Sequence, residues 1–295
     1  MLAVLAFFNK PQNIVAMGIK RVDINEMLRT KAPGAYKFIP RFGIDYIKKI
    51  VHENDLNDFL SKHGETRDLA FVEAALKMMG AKVIVKGIEN IPPSGGCIFA
   101  SNHPLGGLDG LALINSIAQV RTDIKFFVNE LLLALENLNG ILVPVNINGN
   151  SSRSMLEKVE EIYSSDIAIP IFPAGLVSRK SGTNEIKDLR WKKSFITQAK
   201  QYRKDIIPVY IEGENSRFFY SFASFRKKIG IKINLEMFFL VNEMFAQKDK
   251  NIILHFGKPV SYKVFDHSNS DAKWAMIFQD QLYRKKGQII NEPLF

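Results

Sequence analysis

The spacing of apolar residues changes character near residue 81. Before that point it is helical. Thr66 to Met79 puts Leu69, Val72, Ala75, Leu76 and Met79 on one face, and Ile44 to Ile50 and Leu56 to Leu60 show the same period more weakly. Asp23 stands as a cap before Ile24 to Leu28, and Pro33-Gly34 and Pro40 punctuate the run. After residue 81 short apolar runs alternate with helix-spaced segments. Strands are expected at 82–86, 97–100, 123–128, 141–145, 167–172, 206–211 and 252–256. Helices are expected between them at 109–120, 131–138, 153–163 and 190–203, with a last one at 272–283. Alternation at this spacing predicts an α/β fold, a sheet covered on its faces by helices. The chain divides accordingly into a helical N-terminal region, 1–80, able to rest on a membrane, and an α/β domain, 81–295.

Composition narrows the picture. With 295 residues, 46% of them hydrophobic, the chain can bury a large core. Forty Lys and Arg against 30 Asp and Glu give a net charge of +10, which suits lipid headgroups, phosphate-bearing substrates, an acyl carrier protein or nucleic acid. No arginine-rich or zinc-finger pattern supports nucleic acid. The single cysteine, Cys97, excludes a disulfide within the chain and reads as a small buried apolar residue. No apolar run is long enough to span a bilayer. Met1 to Phe8 lacks the basic flank of a signal peptide, and Met17, followed by basic residues, is an alternative start. The five histidines lack partners at ligand spacing, so no metal is expected. His52 and His63 read as surface residues, His255 as core and His267 as loop.

The candidate chemistry lies at two strand ends. The first is Ser101-Asn102-His103-Pro104-Leu105-Gly106-Gly107-Leu108-Asp109-Gly110, between an apolar strand and an apolar helix. A Gly-rich turn here lets the Asp109 carboxylate fold back to the His103 imidazole. Histidine takes a proton from a hydroxyl near neutral pH, and the carboxylate holds the correct tautomer. The bland alternative is a solvated histidine with Asp109 as a helix cap. The second strand end is Phe172-Pro173-Ala174-Gly175-Leu176-Val177-Ser178-Arg179-Lys180-Ser181-Gly182. A Pro-Gly turn can aim backbone N–H groups and basic side chains at an anion. A solvated basic loop is the alternative.

Together these stretches resemble the motifs of the glycerolipid acyltransferase family, the lysophosphatidic acid acyltransferase type. Its first motif is Asn-His, four variable residues, then Asp; here five residues separate His103 from Asp109, and Gly106-Gly107 is the place where the extra one is absorbed. Phe172, Pro173, Gly175 and Ser178 match the third motif, Phe-Pro-Glu-Gly-Thr-Arg-Ser, with Ala174 in place of the Glu and Arg179 and Lys180 following. Gly140 to Asn146 resembles the second motif, with Asn146 where Arg would sit and Arg153 as a substitute. Ile206 to Ile211, containing Pro208, resembles the fourth. The four blocks occur in family order. The Gly-Gly-Leu-Asp and Phe-Pro-Ala-Gly variants look like the divergent hemolysin-like branch, which includes O-acyltransferases of ornithine- and glycine-lipid synthesis.

The resemblance implies a central mixed sheet flanked by helices and acyl transfer from a thioester to a lipid hydroxyl. His103 would act as base and Asp109 as its orienter, while Phe172, Pro173, Gly175, Ser178, Arg179 and Lys180 would hold the acceptor or the donor's phosphate. The missing Glu favours an amino-acid lipid as acceptor over a glycerol phosphate. No cofactor is implied beyond the acyl-acyl carrier protein or acyl-CoA co-substrate. The expected location is peripheral, on the cytoplasmic face of the membrane. Glu212 and Glu214 are open as acceptor ligands or ordinary loop carboxylates. The aromatic run Arg217 to Phe225 with Arg226-Lys227-Lys228, and Leu235 to Phe245, read equally as core or as a lipid groove or interface. The rival function is a catalytically silent lipid-binding protein of the same fold; a basic nucleic-acid module explains the charge but not the order of the motifs.

Overall fold

A computed structural model describes residues 21–31, 33–129, 136–145, 153–180, 185–230, 236 and 239–295. The opening segment with Met1 to Phe8 and Met17, the loop residue Asn146, the Ser181-Gly182 turn, Leu235, and most of the expected 131–138 helix lie outside the described residues.

The N-terminal region is helical: α1 (Ile24–Lys31), α2 (Pro33–Tyr36), α3 (Arg41–Ile50), α4 (Glu53–His63) and α5 (Asp68–Met78). The α/β part begins with β1 (Lys82–Lys86), β2 (Cys97–Ser101), α6 (Gly107–Ala118), β3 (Phe126–Asn129) and β4 (Leu142–Val145). It continues with α7 (Arg153–Ser164), β5 (Ala168–Ile171), β6 (Arg179–Lys180), β7 (Ile186–Lys187), α8 (Ser194–Tyr202) and β8 (Asp205–Ile211). It closes with α9 (Arg217–Lys228), α10 (Leu240–Ala246), β9 (Asn251–Phe256) and α11 (Asp271–Lys285). The expected helix at 190–203 starts only at Ser194, because residues 188–191 form a loop tied by hydrogen bonds to the side chains of Gln279 and Tyr283.

The main sheet has the order β1-β9-β8-β2-β5. Its pairs are parallel except β8 with β9, so the sheet is mixed. Ile124 bridges Ala168 in parallel, and the β3–β4 pair continues the sheet beyond β5. Successive residues of β2 point to opposite faces, the two-residue period of a strand. Cys97 and Phe99 join one core cluster, which includes Phe71, Val72 and Leu76 from α5 and Leu113 from α6. Ile98 and Ala100 join the other, with Trp191, Phe195, Ile196 and Phe278. Helices before residue 81 therefore pack into the same core as the sheet. Both faces being covered explains why β2 reads as an unbroken apolar run. Its carboxyl end stops at the first candidate loop, where α/β sheets gather ligand-binding groups.

Candidate active site

His103 follows the end of β2, and Asp109 lies in the first turn of α6. The turn between them depends on Gly106, whose φ of 84° and ψ of −133° suit only glycine. This bend lets three N–H groups converge on one carboxylate oxygen. Asp109 Oδ2 accepts from the backbone of Leu105 at 2.7 Å and Gly106 at 3.0 Å, and lies 2.9 Å from His103 Nδ1. With five residues between them His103 and Asp109 still meet across the Gly106 bend, and Asp109 is both helix cap and histidine partner.

Asp109 is fully buried, and the His103 side chain is 16% exposed. Burial holds the Asp109 carboxyl above its ordinary range, while the His103 hydrogen bond and the two backbone N–H groups pull it back. A carboxylate held at such a cost is stabilised when the imidazole beside it gains a proton. With Nδ1 committed to Asp109, Nε2 is the ring nitrogen left for a reactant.

The imidazole is fixed from its other sides as well. Phe172 stacks on it, ring centroids 4.0 Å apart and planes 13° from parallel. The His103 backbone N–H donates to Asp188 Oδ1 at 3.2 Å, and its carbonyl accepts from the Ser178 N–H at 2.8 Å. Asp188 is buried and also accepts from Ser178 Oγ at 2.6 Å and Trp191 Nε1 at 2.9 Å. Its own N–H donates to Tyr283 Oη at 2.8 Å. Asn102, the residue before the histidine, exchanges two hydrogen bonds with the backbone of Ile211 and so ties this loop to the end of β8. Asn215 Nδ2 holds the Pro104 carbonyl at 3.0 Å. Sequence reasoning missed Asp188, Trp191 and Tyr283. They lie 85 or more positions from His103 and belong to no motif, so only the fold brings them to it.

The third-motif residues divide. Phe172 packs on His103, and the Pro173 carbonyl accepts from the Lys192 N–H at 3.1 Å. Gly175 takes a φ of 70° at the apex of the turn. Ser178 faces inward to Asp188, as above. Arg179 also turns inward: its guanidinium lies 3.0 Å from the fully buried Glu236 and 5.1 Å from the Phe219 ring centroid. Burial pushes the Arg179 guanidinium down and Glu236 opposes that shift. Arg226 Nε stands 2.7 Å from the other oxygen of Glu236. The expectation of Arg179 as an arm reaching for an anion therefore does not match its placement. The buried carboxylate of Glu236, remote in sequence, outcompetes solvent for it. Lys180 is exposed. Ala174 is buried in the core cluster beside Trp191 and Phe195, so this turn offers no acidic group at that position. Arg153 is 93% exposed and pairs with Glu157 at 2.9 Å on α7.

The remaining candidates settle as follows. Glu212 pairs with the buried His255 at 2.5 Å. His52 is half-buried, stacked on Phe245 with centroids 3.9 Å apart, a closer involvement than a surface histidine has. Phe219 and Tyr220 are core, whereas Phe218 and Phe225 are more than half exposed. Among the described residues no group of His, Cys, Asp and Glu could hold a metal ion.

His103 opens onto a cavity of about 570 Å³. Its walls are mostly apolar: Leu56, Phe59 and Phe71 from the N-terminal helices, Leu111 and Ile114 from α6, and Phe126 from β3. The one cysteine, Cys97, is buried inside β2, and burial pushes its thiol up to about 11, away from the reactive thiolate form. A base-and-orienter pair beside an apolar cavity suits chemistry on a hydroxyl carried by an apolar molecule.

A family model described as "Acyltransferase" matches residues 26–293, and the chain belongs to that family. It is 42% identical over 264 residues to a lyso-glycine lipid O-acyltransferase of Phocaeicola vulgatus, covering 89% of this chain and 94% of that protein. It is equally 42% identical over 264 residues to a lyso-glycine lipid O-acyltransferase of Bacteroides thetaiotaomicron, covering 89% and 97%. Among solved structures it is similar to the 1-acyl-sn-glycerophosphate (LPA) acyltransferase PlsC of Thermotoga maritima, at 18% identity and a TM-score of 0.45, over 89% of this chain and 92% of that one. The chain is an acyltransferase.

Proposed function

We propose that the enzyme moves a fatty acyl group from an acyl thioester to the hydroxyl of a mono-acylated amino-acid lipid of the lyso-glycine type. One observation carries the reading: a buried His103–Asp109 pair whose free ring nitrogen serves a large apolar cavity. Glycine has no hydroxyl. An O-acylation of a lipid built on it must use a hydroxyl on the chain already attached. That hydroxyl arrives within an apolar molecule, in keeping with the walls around His103 and with Ala174 in place of a carboxylate.

The step follows from the geometry. His103 Nε2 takes the proton of the acceptor hydroxyl as its oxygen attacks the thioester carbonyl carbon. Asp109 stabilises the imidazolium that forms. The tetrahedral intermediate then reforms its carbonyl, the C–S bond breaks, and His103 returns the proton to the departing thiolate. No covalent enzyme intermediate is involved. The donor is acyl-acyl carrier protein or acyl-CoA, whose negative charge suits the net +10 of the chain.

Phe38, Phe42 and Tyr46 are exposed at and beside α3, which ends in Lys48 and Lys49, and Phe218 and Phe225 are exposed on α9. Aromatic residues beside basic ones suit a bilayer interface, and no described helix is long and apolar enough to cross a membrane. These features support peripheral work at the cytoplasmic face, where acyl thioesters are held.

The test is a lipid profile. The wild type and His103→Ala are expressed in a host that makes mono-acylated aminolipids, and mono- and di-acylated species are quantified by mass spectrometry. Conversion by the wild type alone, with the new ester on the chain hydroxyl, is expected. An unchanged profile with verified protein removes this acceptor.

A further inference from the structure

The cavity beside His103 has one polar margin that no motif covers. Among the described residues lining it, Lys192 is the only Lys or Arg, and Ser194 and Gln198 follow on α8. Lys192 is exposed and stands over the turn: its Nζ would lie 3.6 Å from a Cβ placed on Gly175. Its backbone N–H is bound to the Pro173 carbonyl, one residue from the Phe172 ring stacked on His103. Gln198 supplies an independent sign. Its Oε1 is buried, and among the described residues no hydrogen-bond donor reaches it. A buried carbonyl without a donor is a cost that a ligand N–H or O–H removes.

We infer that Lys192 and Gln198 form the headgroup subsite of the acceptor, Lys192 holding a carboxylate and the Gln198 Oε1 accepting from the adjacent amide N–H. The inference rests on the acceptor reading above. A glycine acylated on nitrogen presents those two groups side by side, one methylene apart. The fatty chain then leaves the amide carbonyl toward the apolar walls and carries its hydroxyl past His103. A lysine at an exposed rim meets a carboxylate as a point charge and keeps its hydration until the ligand arrives. The subsite takes over the task expected of Arg179, whose guanidinium is turned onto Glu236. Its ligand class is an N-acyl amino acid with a free carboxylate.

The experiment uses the purified full chain, an acyl thioester, and three acceptors: lyso-glycine lipid, its methyl ester, and its analogue methylated on the amide nitrogen with the carboxylate free. The wild type is expected to prefer the free acid to the ester by about 10- to 100-fold in kcat/KM, the range of one charge-assisted hydrogen bond. Lys192→Ala is expected to erase that preference, mainly through KM, and Lys192→Arg to retain it. Gln198→Leu is expected to erase discrimination against the analogue methylated on the amide nitrogen and to leave acid-over-ester preference in place. Lys192→Ala with undiminished acid-over-ester preference overturns the subsite while the acceptor reading stands. Absence of transfer to lyso-glycine lipid by the wild type overturns the acceptor reading and the subsite with it.

Discussion

The two strand-end loops begin alike and end with opposite roles. Both leave a buried strand of the same sheet through a Pro- and Gly-containing turn, and both carry polar side chains. In the loop after β2 the functional groups converge on the cavity: Asp109 is held by N–H groups behind it and presents His103 forward. In the loop after β5 they point into the protein, the exposed Lys180 excepted. Ser178 bonds to Asp188, Arg179 to Glu236, and Ala174 packs in the core. The second loop is a brace for the first, connected to it through Phe172 and the Ser178 N–H. The lesson is that a motif position does not fix a motif role. What surrounds the side chain decides whether it faces substrate or scaffold.

This contrast can be broken or sharpened by substitution. The largest effect is expected at His103. Its alanine variant should lose about 10³-fold or more in kcat, within the range for a positioned base, while keeping its thermal melt. Asp109→Asn comes next and should separate activity from stability. Asparagine can still accept from Leu105 and Gly106 but favours the wrong imidazole tautomer, so kcat should fall by about 10²- to 10⁴-fold. Stability should move the other way. Burial raises the folded-state pKa of Asp109 above 3.8, so the stability it contributes is full below that pH and is lost as pH rises through the folded value. At neutral pH the uncharged variant should melt at the same temperature or higher, with its advantage shrinking in acid. A lower melt at pH 7 would show that the carboxylate stabilises the fold.

Smaller effects are expected in the brace. Asp188→Ala removes the acceptor for the His103 N–H, Ser178 Oγ and Trp191 Nε1. Misplacing the base by this route should lower kcat by about 10²-fold with little change in KM. A fall confined to the active fraction of protein, with normal kcat per folded molecule, would make Asp188 purely structural. Arg179→Met should act on stability and hardly on the acceptor KM. It should cost at most about 3 kcal/mol, because Arg226 stays on Glu236. A KM rise of tenfold without a change in melting would return Arg179 to the headgroup.

Much of this was legible in the amino-acid order. The change of period near residue 81, the strand ends and the His103–Asp109 pairing depend on local patterns, and local patterns survive in a sequence. The Gly106 bend was legible too, since only glycine tolerates that conformation. Strand order was not, because the placement of β9 between β1 and β8 is a long-range choice. The direction of Arg179 was equally hidden: it depends on Glu236, 57 positions away. Asp188 reads as one more carboxylate in a basic stretch until folding places it under His103. A buried polar group takes its meaning from partners that have no fixed offset along the chain.

One measurement tests the central claim most directly. Purified wild type, His103→Ala and Arg179→Met are given an acyl thioester and lyso-glycine lipid, and di-acylated product is followed by mass spectrometry alongside thermal melts. The account predicts rapid product from the wild type, product at a comparable rate per folded molecule from Arg179→Met, and none above background from a normally melting His103→Ala. Turnover by His103→Ala at near wild-type rate would contradict it.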